Sequence, residues 1–392
     1  MRKKSALSLI FLTVFIDLLG FGILIPILPT FAKIELLVDE TAIGVVVAVY
    51  SFVQFLFNPI LGKLSDKYGR KPIIVISLFI NAIGYVLFAF TTSYILLLVA
   101  RIVAGIGGSS ISVAQAYIAD VTTKENRAKG MGVIGAAFGL GFVFGPLMGG
   151  FLASYGYMVT GFASAAFSIL AFIVTIVLLP ESNIKREATF ETKRKLIDVD
   201  ALKNVFAKPE RAMLIFLFFV LTFSFANIYG TFALLGLQVY GFSDMQNGFM
   251  FGIIGLTSAI VQGGLIGRIS KVVSKKNILK FGSFFIMAAL ALIPYGETFL
   301  GLAIICIFLS IGTGLFQPTV LSLISEVTPE DEQGVTLGVN QSVSAIARVL
   351  GPLWGGFAFE FLGYPFPFLT GAAFTLIIFI ATVFYIPKKL SV

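Results

Sequence analysis

The chain has 392 residues, of which 58% are hydrophobic and only 12% charged. An ordinary soluble domain carries about a quarter charged residues, so a water-soluble globule is excluded, and the 40 glycines follow no collagen-like three-residue period. Histidine is absent and Cys306 is the single cysteine. That removes the usual proton carrier near neutral pH, the usual metal ligands and any intrachain disulfide, so proton chemistry falls to carboxylates and no metal or cofactor is expected. The net charge of +8 does not indicate nucleic acid, because the Lys and Arg residues lie in short stretches between apolar runs, as in membrane proteins.

In chain order, Met1-Arg2-Lys3-Lys4 resembles the basic start of a signal peptide. The apolar stretch that follows, Ser5 to about Phe31, is too long for one, contains Asp17, Pro26 and Pro29, and leads to no small-residue cleavage site. It is predicted to be the first membrane-spanning helix, since roughly 20 apolar residues cross a bilayer. Eleven more are predicted over 41–62, 72–91, 94–119, 128–153, 157–180, 211–237, 244–267, 275–296, 298–325, 332–359 and 364–386. The fold class expected is all-α integral membrane, with twelve transmembrane helices in two pseudo-symmetric six-helix bundles. These are an N-terminal bundle over 1–180 and a C-terminal bundle over 211–392, joined by a polar, solvated linker over 181–210 that holds Lys185, Arg186, Lys193, Arg194, Lys195, Lys203 and Lys208.

Basic residues mark one side. Lys63, Lys67, Arg70, Lys71, Lys124, Arg127, Lys129, Arg268, Lys271, Lys275 and Lys276 lie in the even-to-odd junctions, whereas Lys33 alone lies in the odd-to-even ones. The N-terminus and Lys388-Lys389 share the basic side, so both termini are expected in the cytoplasm.

The two halves repeat one another. Gly145-Pro146-Leu147-Met148-Gly149-Gly150-Phe151 recurs as Gly351-Pro352-Leu353-Trp354-Gly355-Gly356-Phe357 at an offset of 206, and Asp120-Val121-Thr122 meets Glu326-Val327-Thr328 at the same offset. Gly62 through Lys71 meets Gly267 through Lys276 at an offset of 205. An even number of helices per copy makes the halves parallel, with a pseudo-two-fold axis along the membrane normal and a midplane substrate site between them.

Gly62-Lys63-Leu64-Ser65-Asp66-Lys67-Tyr68-Gly69-Arg70-Lys71 resembles the signature loop between helices 2 and 3 of the major facilitator superfamily. Leu19-Gly20 followed by Pro26-Ile27-Leu28-Pro29, Arg101 followed by Gly105 and Gly107, and Gly141-Phe142-Val143-Phe144-Gly145-Pro146-Leu147-Met148-Gly149-Gly150 resemble the motifs of helices 1, 4 and 5 in its twelve-helix drug–proton antiporters, the tetracycline-exporter-like members above all. Pro180-Glu181-Ser182 resembles the element that closes helix 6. The resemblance implies multidrug efflux of the antibiotic-resistance kind, driven by proton antiport at the cell membrane. It is incomplete for tetracycline–metal exchange: Gly84 stands before Tyr85 where those exporters carry an acid, histidine is missing, and 275–296 contains no acid.

Asp17 stands alone about 12 residues into the first segment, roughly 18 Å along its axis and near the middle of a ~30 Å apolar core. Ionisable side chains at that depth are functional by default. Asp17 is expected either to carry the proton or to be held ionised by an arginine. Arg101 lies about 10 Å below the opposite boundary of its segment, and is expected either to compete with the proton for Asp17 or to bond static backbone carbonyls. Arg348 has no acid at its depth in the second half, and needs carbonyls, water or an anionic ligand.

Asp66 and Arg70 flank a turn permitted by Gly69, with Asp120 placed to share Arg70; together with Gly62 they form the expected conformational gate. The glycines and prolines of Gly141, Gly145, Pro146, Gly149 and Gly150, and of Gly351, Pro352, Gly355 and Gly356, are expected to pack helices closely as a pliable seam. Gln54, Asn58, Gln115, Asn227, Tyr229, Gln262, Gln317, Asn340 and Gln341 are the candidate substrate contacts, with Arg348 for anions. No nucleophile–base pair, metal cluster or Walker loop is present, so an enzyme is not expected. The expected protein is a monomeric secondary transporter in the bacterial inner membrane, exchanging protons for amphipathic small molecules by alternating access. A carrier of organic anions or metabolites using Arg101 and Arg348 is the alternative.

Overall fold

A computed structural model describes residues 3–123, 126–182, 199–329 and 332–384. Lys185, Arg186, Lys193, Arg194 and Lys195 of the expected linker, Lys124, and Lys388-Lys389 lie outside the described residues. Among the described residues, twelve helices are long and apolar enough to cross a membrane. In chain order they are α1 (Lys3–Ile34), α2 (Glu40–Tyr68), α3 (Arg70–Ala89), α4 (Tyr94–Gly107 and Ser110–Val121), α5 (Arg127–Ala153), α6 (Tyr157–Leu178), α7 (Pro209–Ala226 and Ile228–Gln238), α8 (Asp244–Ile260, a π-turn over Val261–Leu265, then Ile266–Ile269), α9 (Lys275–Leu292), α10 (Phe299–Glu326), α11 (Gln333–Phe361) and α12 (Phe366–Phe384). A short amphipathic helix, Val199–Phe206, precedes α7.

All twelve predicted segments are present, and most run further than their apolar stretches. α2 continues past Ile60 and Leu61 through Gly62-Lys63-Leu64-Ser65 to Tyr68. Nothing in that stretch breaks a helix until Gly69, whose φ of 105° lies where only glycine is unstrained. Pro26, Pro29, Pro59, Pro146, Pro318 and Pro352 all sit inside helices. Neighbouring helices in lipid allow this, because they can re-satisfy the freed backbone groups.

Where a helix does break, side chains take over the lost bonds. At the Gly107–Ser110 interruption of α4, Gln54 Nε2 donates to the Gly108 carbonyl at 2.9 Å and Ser109 Oγ to that of Gly105 at 3.1 Å. At the Asn227 interruption of α7, Thr231 Oγ1 donates to the Asn227 carbonyl at 2.8 Å.

Contacts divide the helices into two units. The first holds α1, α3–α6, α2 from Val49 onward, and the start of α8, Phe242–Gly252. Its core is a cluster of Ile10, Ile74, Leu78, Tyr117, Ile118 and Leu179, shared by α1, α3, α4 and the end of α6. The second holds Asp39–Ala48, α7, the remainder of α8 from Ile253, and α9–α12. Phe232, Phe316 and Phe368 are among its fully buried side chains.

Candidate functional site

The first unit buries one carboxylate in its interior. Asp17 is 6% exposed, and its Oδ1 accepts from Asn81 Nδ2 of α3 at 2.8 Å and from Ser168 Oγ of α6 at 3.0 Å. Both partners are neutral, and no ion pair to Asp17 is present among the described residues. One turn away along α1, Thr13 Oγ1 donates to Thr175 Oγ1 at 3.2 Å, since Thr175 Oγ1 itself donates to the Ala171 carbonyl.

Arg101 is equally buried, yet the direct bond to Asp17 weighed from matching depths is absent. Its guanidinium lies over the Tyr50 ring of α2, 4.4 Å from the centroid, and its Nε has no hydrogen-bond partner. Depth along a helix does not fix which way a side chain faces. Tyr50 stands within charge-interaction range of both Asp17 and Arg101, as does Tyr85 of α3. Sequence reading passed over Asn81, Ser168, Tyr50 and Tyr85. The available signal was the four-residue spacing of Ser77, Asn81 and Tyr85 on an otherwise apolar helix.

In the second unit Arg348 is half-buried on α11 within charge-interaction range of Tyr229 on α7. Each unit therefore sets a membrane-embedded arginine within charge-interaction range of a tyrosine. Asn227 is fully buried and its Nδ2 bonds the Pro367 carbonyl of α12, tying those helices together. Asn340 is 1% exposed, and neither its Nδ2 nor its Oδ1 finds a partner. Gln54 is committed to Gly108, and the Asn58 carbonyl accepts from Ser112 Oγ at 3.3 Å. Gln115, Gln262, Gln317 and Gln341 are exposed, Gln262 on the π-turn of α8.

The expected gate residues form one network. Arg70 Nε donates to Asp120 Oδ2 at 2.9 Å, and Nη1 reaches both Asp66 Oδ1 and Ser65 Oγ at 2.6 Å. Ser182 Oγ adds a bond to Asp120 at 3.0 Å. The Glu181 carboxylate accepts from the backbone N–H groups of Arg70 at 2.9 Å and Lys71 at 3.2 Å. An anion at these otherwise unpaired donors complements the helix dipole, so the segment after α6 caps α3. A Cβ at Gly69 would strike that carboxylate. Gly62, by contrast, has nothing within 4 Å of such a Cβ, so sterics do not require glycine there.

The repeat reproduces this network in reduced form. Lys275 pairs with Glu326, the counterparts of Arg70 and Asp120, while Lys271 stands at the position of Asp66. Here α9 carries its own cap: Ser274 Oγ accepts from Asn277 N at 3.4 Å.

The glycine-rich helices pack backbone to backbone. On α5, a Cβ at Gly141 would lie 2.8 Å from Leu18 Cβ, and one at Gly145 2.6 Å from Gly22 Cα. One at Gly149 would collide with the Ile23 carbonyl, and one at Gly150 would lie 2.6 Å from the Asp244 carbonyl of α8. On α11, Gly351 and Gly355 meet Ala226 and Asn227 of α7 in the same way. Gly356 and Pro352 meet Glu40 and Gly44 of α2.

The chain is similar to known proteins throughout. The family model described as Major Facilitator Superfamily matches residues 10–352 and 298–391. It is 30% identical over 373 residues to "Multidrug resistance protein 1" of Bacillus subtilis (strain 168), covering 94% of each chain. It is 31% identical to "Tetracycline resistance protein, class H" of Pasteurella multocida, covering 92% of this chain and 90% of that one. Among solved structures it resembles the human organic anion transporter MFSD10 (TETRAN), with a TM-score of 0.72, 23% identity, and coverage of 97% of this chain and 100% of that one.

Proposed function

The chain belongs to the major facilitator superfamily, and for this multi-pass membrane transporter we propose proton-coupled efflux of amphipathic small molecules by alternating access, with Asp17 as the proton carrier. One observation carries the reading. Asp17 is a buried membrane carboxylate held by neutral donors, Asn81 and Ser168, with the Ser110 hydroxyl of α4 also within reach. Such a carboxylate changes protonation without first breaking an ion pair, which a permanently arginine-bound aspartate cannot do. Export accords with the names of the multidrug and tetracycline resistance relatives.

The transporter works as a monomer in the inner membrane with both termini in the cytoplasm, as the basic junctions argue. The bundles 1–180 and 211–392 are its moving parts. Arg70 with Asp66 and Asp120 forms the gate, and Gly62 and Gly69 belong to its loop. The exposed and half-buried polar side chains Gln115, Gln262, Gln317, Gln341 and Tyr229 are the first candidates to meet substrate.

A second reading, transport of organic anions or metabolites, rests on Arg348, which lies within charge-interaction range of Tyr229 and pairs with no acid among the described residues. The two are separated by proton flux in reconstituted vesicles, measured across cationic, neutral and anionic amphiphiles. Protons are expected to move when a cationic or neutral compound is added, and Asp17→Asn is expected to lose that flux. Coupling that survives Asp17→Asn would end the carrier assignment. Anion-only transport that is lost in Arg348→Ala would transfer the function to the second reading.

A further inference from the structure

We propose that Arg211 is a second gate-positioning residue, which clamps the end of α10 and the start of α11 onto α7 and so plays in the second unit the part that Arg70 plays in the first. Its effect on transport rests on the alternating-access reading above; the clamp itself does not.

Arg211 lies in the first turn of α7, with a side chain only 6% exposed. Its Nη1 pairs with the carboxylate of Glu332, the residue that leads into α11. Its Nε donates to the carbonyl of Val327, just past the end of α10, at 3.4 Å. One guanidinium thus joins three helices. The planar fork suits the task, because separate N–H groups meet acceptors on separate elements. Each partner also suits its helix end. A cation complements the unpaired carbonyls where α10 stops, and the Glu332 carboxylate complements the positive start of α11.

The repeat shows what the clamp adds. Gly351 and Gly355 of α11 meet Ala226 and Asn227 of α7, as Gly145 and Gly149 of α5 meet Gly22 and Ile23 of α1. The pair α7 and α11 therefore corresponds to α1 and α5. Arg211 precedes Ala226 by 15 residues, about 22 Å along the helix axis. So α7 and α11 are pinned twice, backbone to backbone towards one end and through Arg211 at the other. Two helices held at one contact can pivot about it, whereas two contacts fix their angle. At the matching start of α1 stand Ser5, Ala6 and Leu7, none of them charged.

The first unit has the Arg70 network instead. In the second, Lys275 holds Glu326 through a partly exposed pair, of a kind that contributes little. Arg211 takes the next residue but one to the motif, Val327, from α7 rather than from α9. The well-buried cation of this end is therefore Arg211 and not the motif lysine. The short helix Val199–Phe206 lies against both α7 and α11, with Val205 2% exposed, so the clamp stands where the linker enters the unit. A pair so far withdrawn from water contributes fixed geometry more than net stability.

Glu332→Gln tests the clamp with little risk to folding, since the Glu332 side chain is 50% exposed. Hydrogen–deuterium exchange of the purified protein is expected to speed about ten-fold at the Val327, Thr328 and Thr336 amides. These amides bond the Leu323, Ser325 and Glu332 carbonyls around the clamp. Unchanged exchange there would overturn the clamp whatever the protein transports.

The gating role is tested with the amphiphile that moves in the vesicle panel above. Glu332→Gln is expected to lower the maximal rate about five-fold at unchanged KM, and Arg211→Gln/Glu332→Gln to be no slower than Arg211→Gln. Arg211→Lys should recover part of the rate, because it keeps the charge and loses the fork. Glu210→Gln, at the exposed acid beside Arg211, should transport at the wild-type rate. A wild-type rate in Glu332→Gln, or an equal loss in Glu210→Gln, would remove the gating role. A panel in which no compound moves would sink the efflux reading instead, and the exchange result would decide the clamp by itself.

Discussion

Arg70→Ala is expected to leave the protein folded and to slow transport about ten-fold or more, the effect of moving a conformational equilibrium by roughly 1.4 kcal/mol. Arg70 is the hub of its network. Its side chain is 11% exposed, and it serves Asp66, Asp120 and Ser65 together. Removing it strands two carboxylates that still reach solvent, so the stability loss should stay near 1–2 kcal/mol. What is lost is the clamp joining the end of α2, the end of α4 and the start of α3. Arg70→Lys should recover only part of the rate, because one ammonium cannot present the Nε and Nη1 donors of a planar fork to separate acceptors. Transport in vesicles, read beside thermal stability in detergent, decides the matter. Normal transport by Arg70→Ala would end the gating role, and full recovery by lysine would end the argument from fork geometry.

The second unit sharpens this expectation. Its counterpart has a lysine at Arg70's place, Glu326 at Asp120's, and Lys271 at Asp66's. Among the described residues Lys275 keeps its pair with Glu326, and that pair is partly exposed, with relative exposures of 25% and 47%. Exposed pairs contribute little, so Lys275→Ala should slow transport less than Arg70→Ala does. The asymmetry also appears in capping: Glu181 reaches across from the end of α6 to cap α3, whereas Ser274 caps α9 locally.

Much of this was legible in the residues. Apolar length predicted all twelve helices, because a bilayer leaves a chain few other ways to satisfy its backbone. Asp120 was placed to share Arg70, and the repeats at offsets of 205 and 206 set Lys275 and Glu326 at the corresponding positions. Helix extents were less legible, because α2 continues through charged residues once it leaves the apolar core. The interruptions at Gly107–Ser110 and Asn227 were missed as well, since each depends on a partner elsewhere in the chain: Gln54 for one, Pro367 for the other. The surroundings of Asp17 were the least legible. Its depth could be counted, but its partners depend on the rotation of α3 and α6. Asn81 and Ser168 are single polar residues in apolar runs that also contain polar residues with no part in the site. The Arg101 guanidinium found the Tyr50 ring because cation–π contact suits a charge withdrawn from water.

Gly149→Val is expected to produce the largest loss of stability of any single change on α5, with Gly145→Val close behind. A side chain at Gly149 has no flexible neighbour to displace, because its first carbon meets the Ile23 carbonyl, which is backbone. At Gly145 the obstacle is Gly22 Cα at 2.6 Å, again backbone. Accommodating either requires α1 and α5 to separate, and in lipid close packing itself drives helix association, since apolar surface gains little by leaving the bilayer. Overpacking of a tight interior costs about 1–3 kcal/mol, and an unyielding backbone on the far side places both variants at the upper end. Gly132→Val is the matched control on the same helix, with nothing within 4 Å of its Cβ, and should change stability by no more than about 0.5 kcal/mol. Melting midpoints in detergent compare the three directly. A Gly149→Val protein as stable as Gly132→Val would mean that α1 and α5 are held by something other than this contact. The same logic carries to α11, where Gly355→Val would drive into the Asn227 backbone carbonyl at 2.7 Å and disturb the residue that ties α7 to α12.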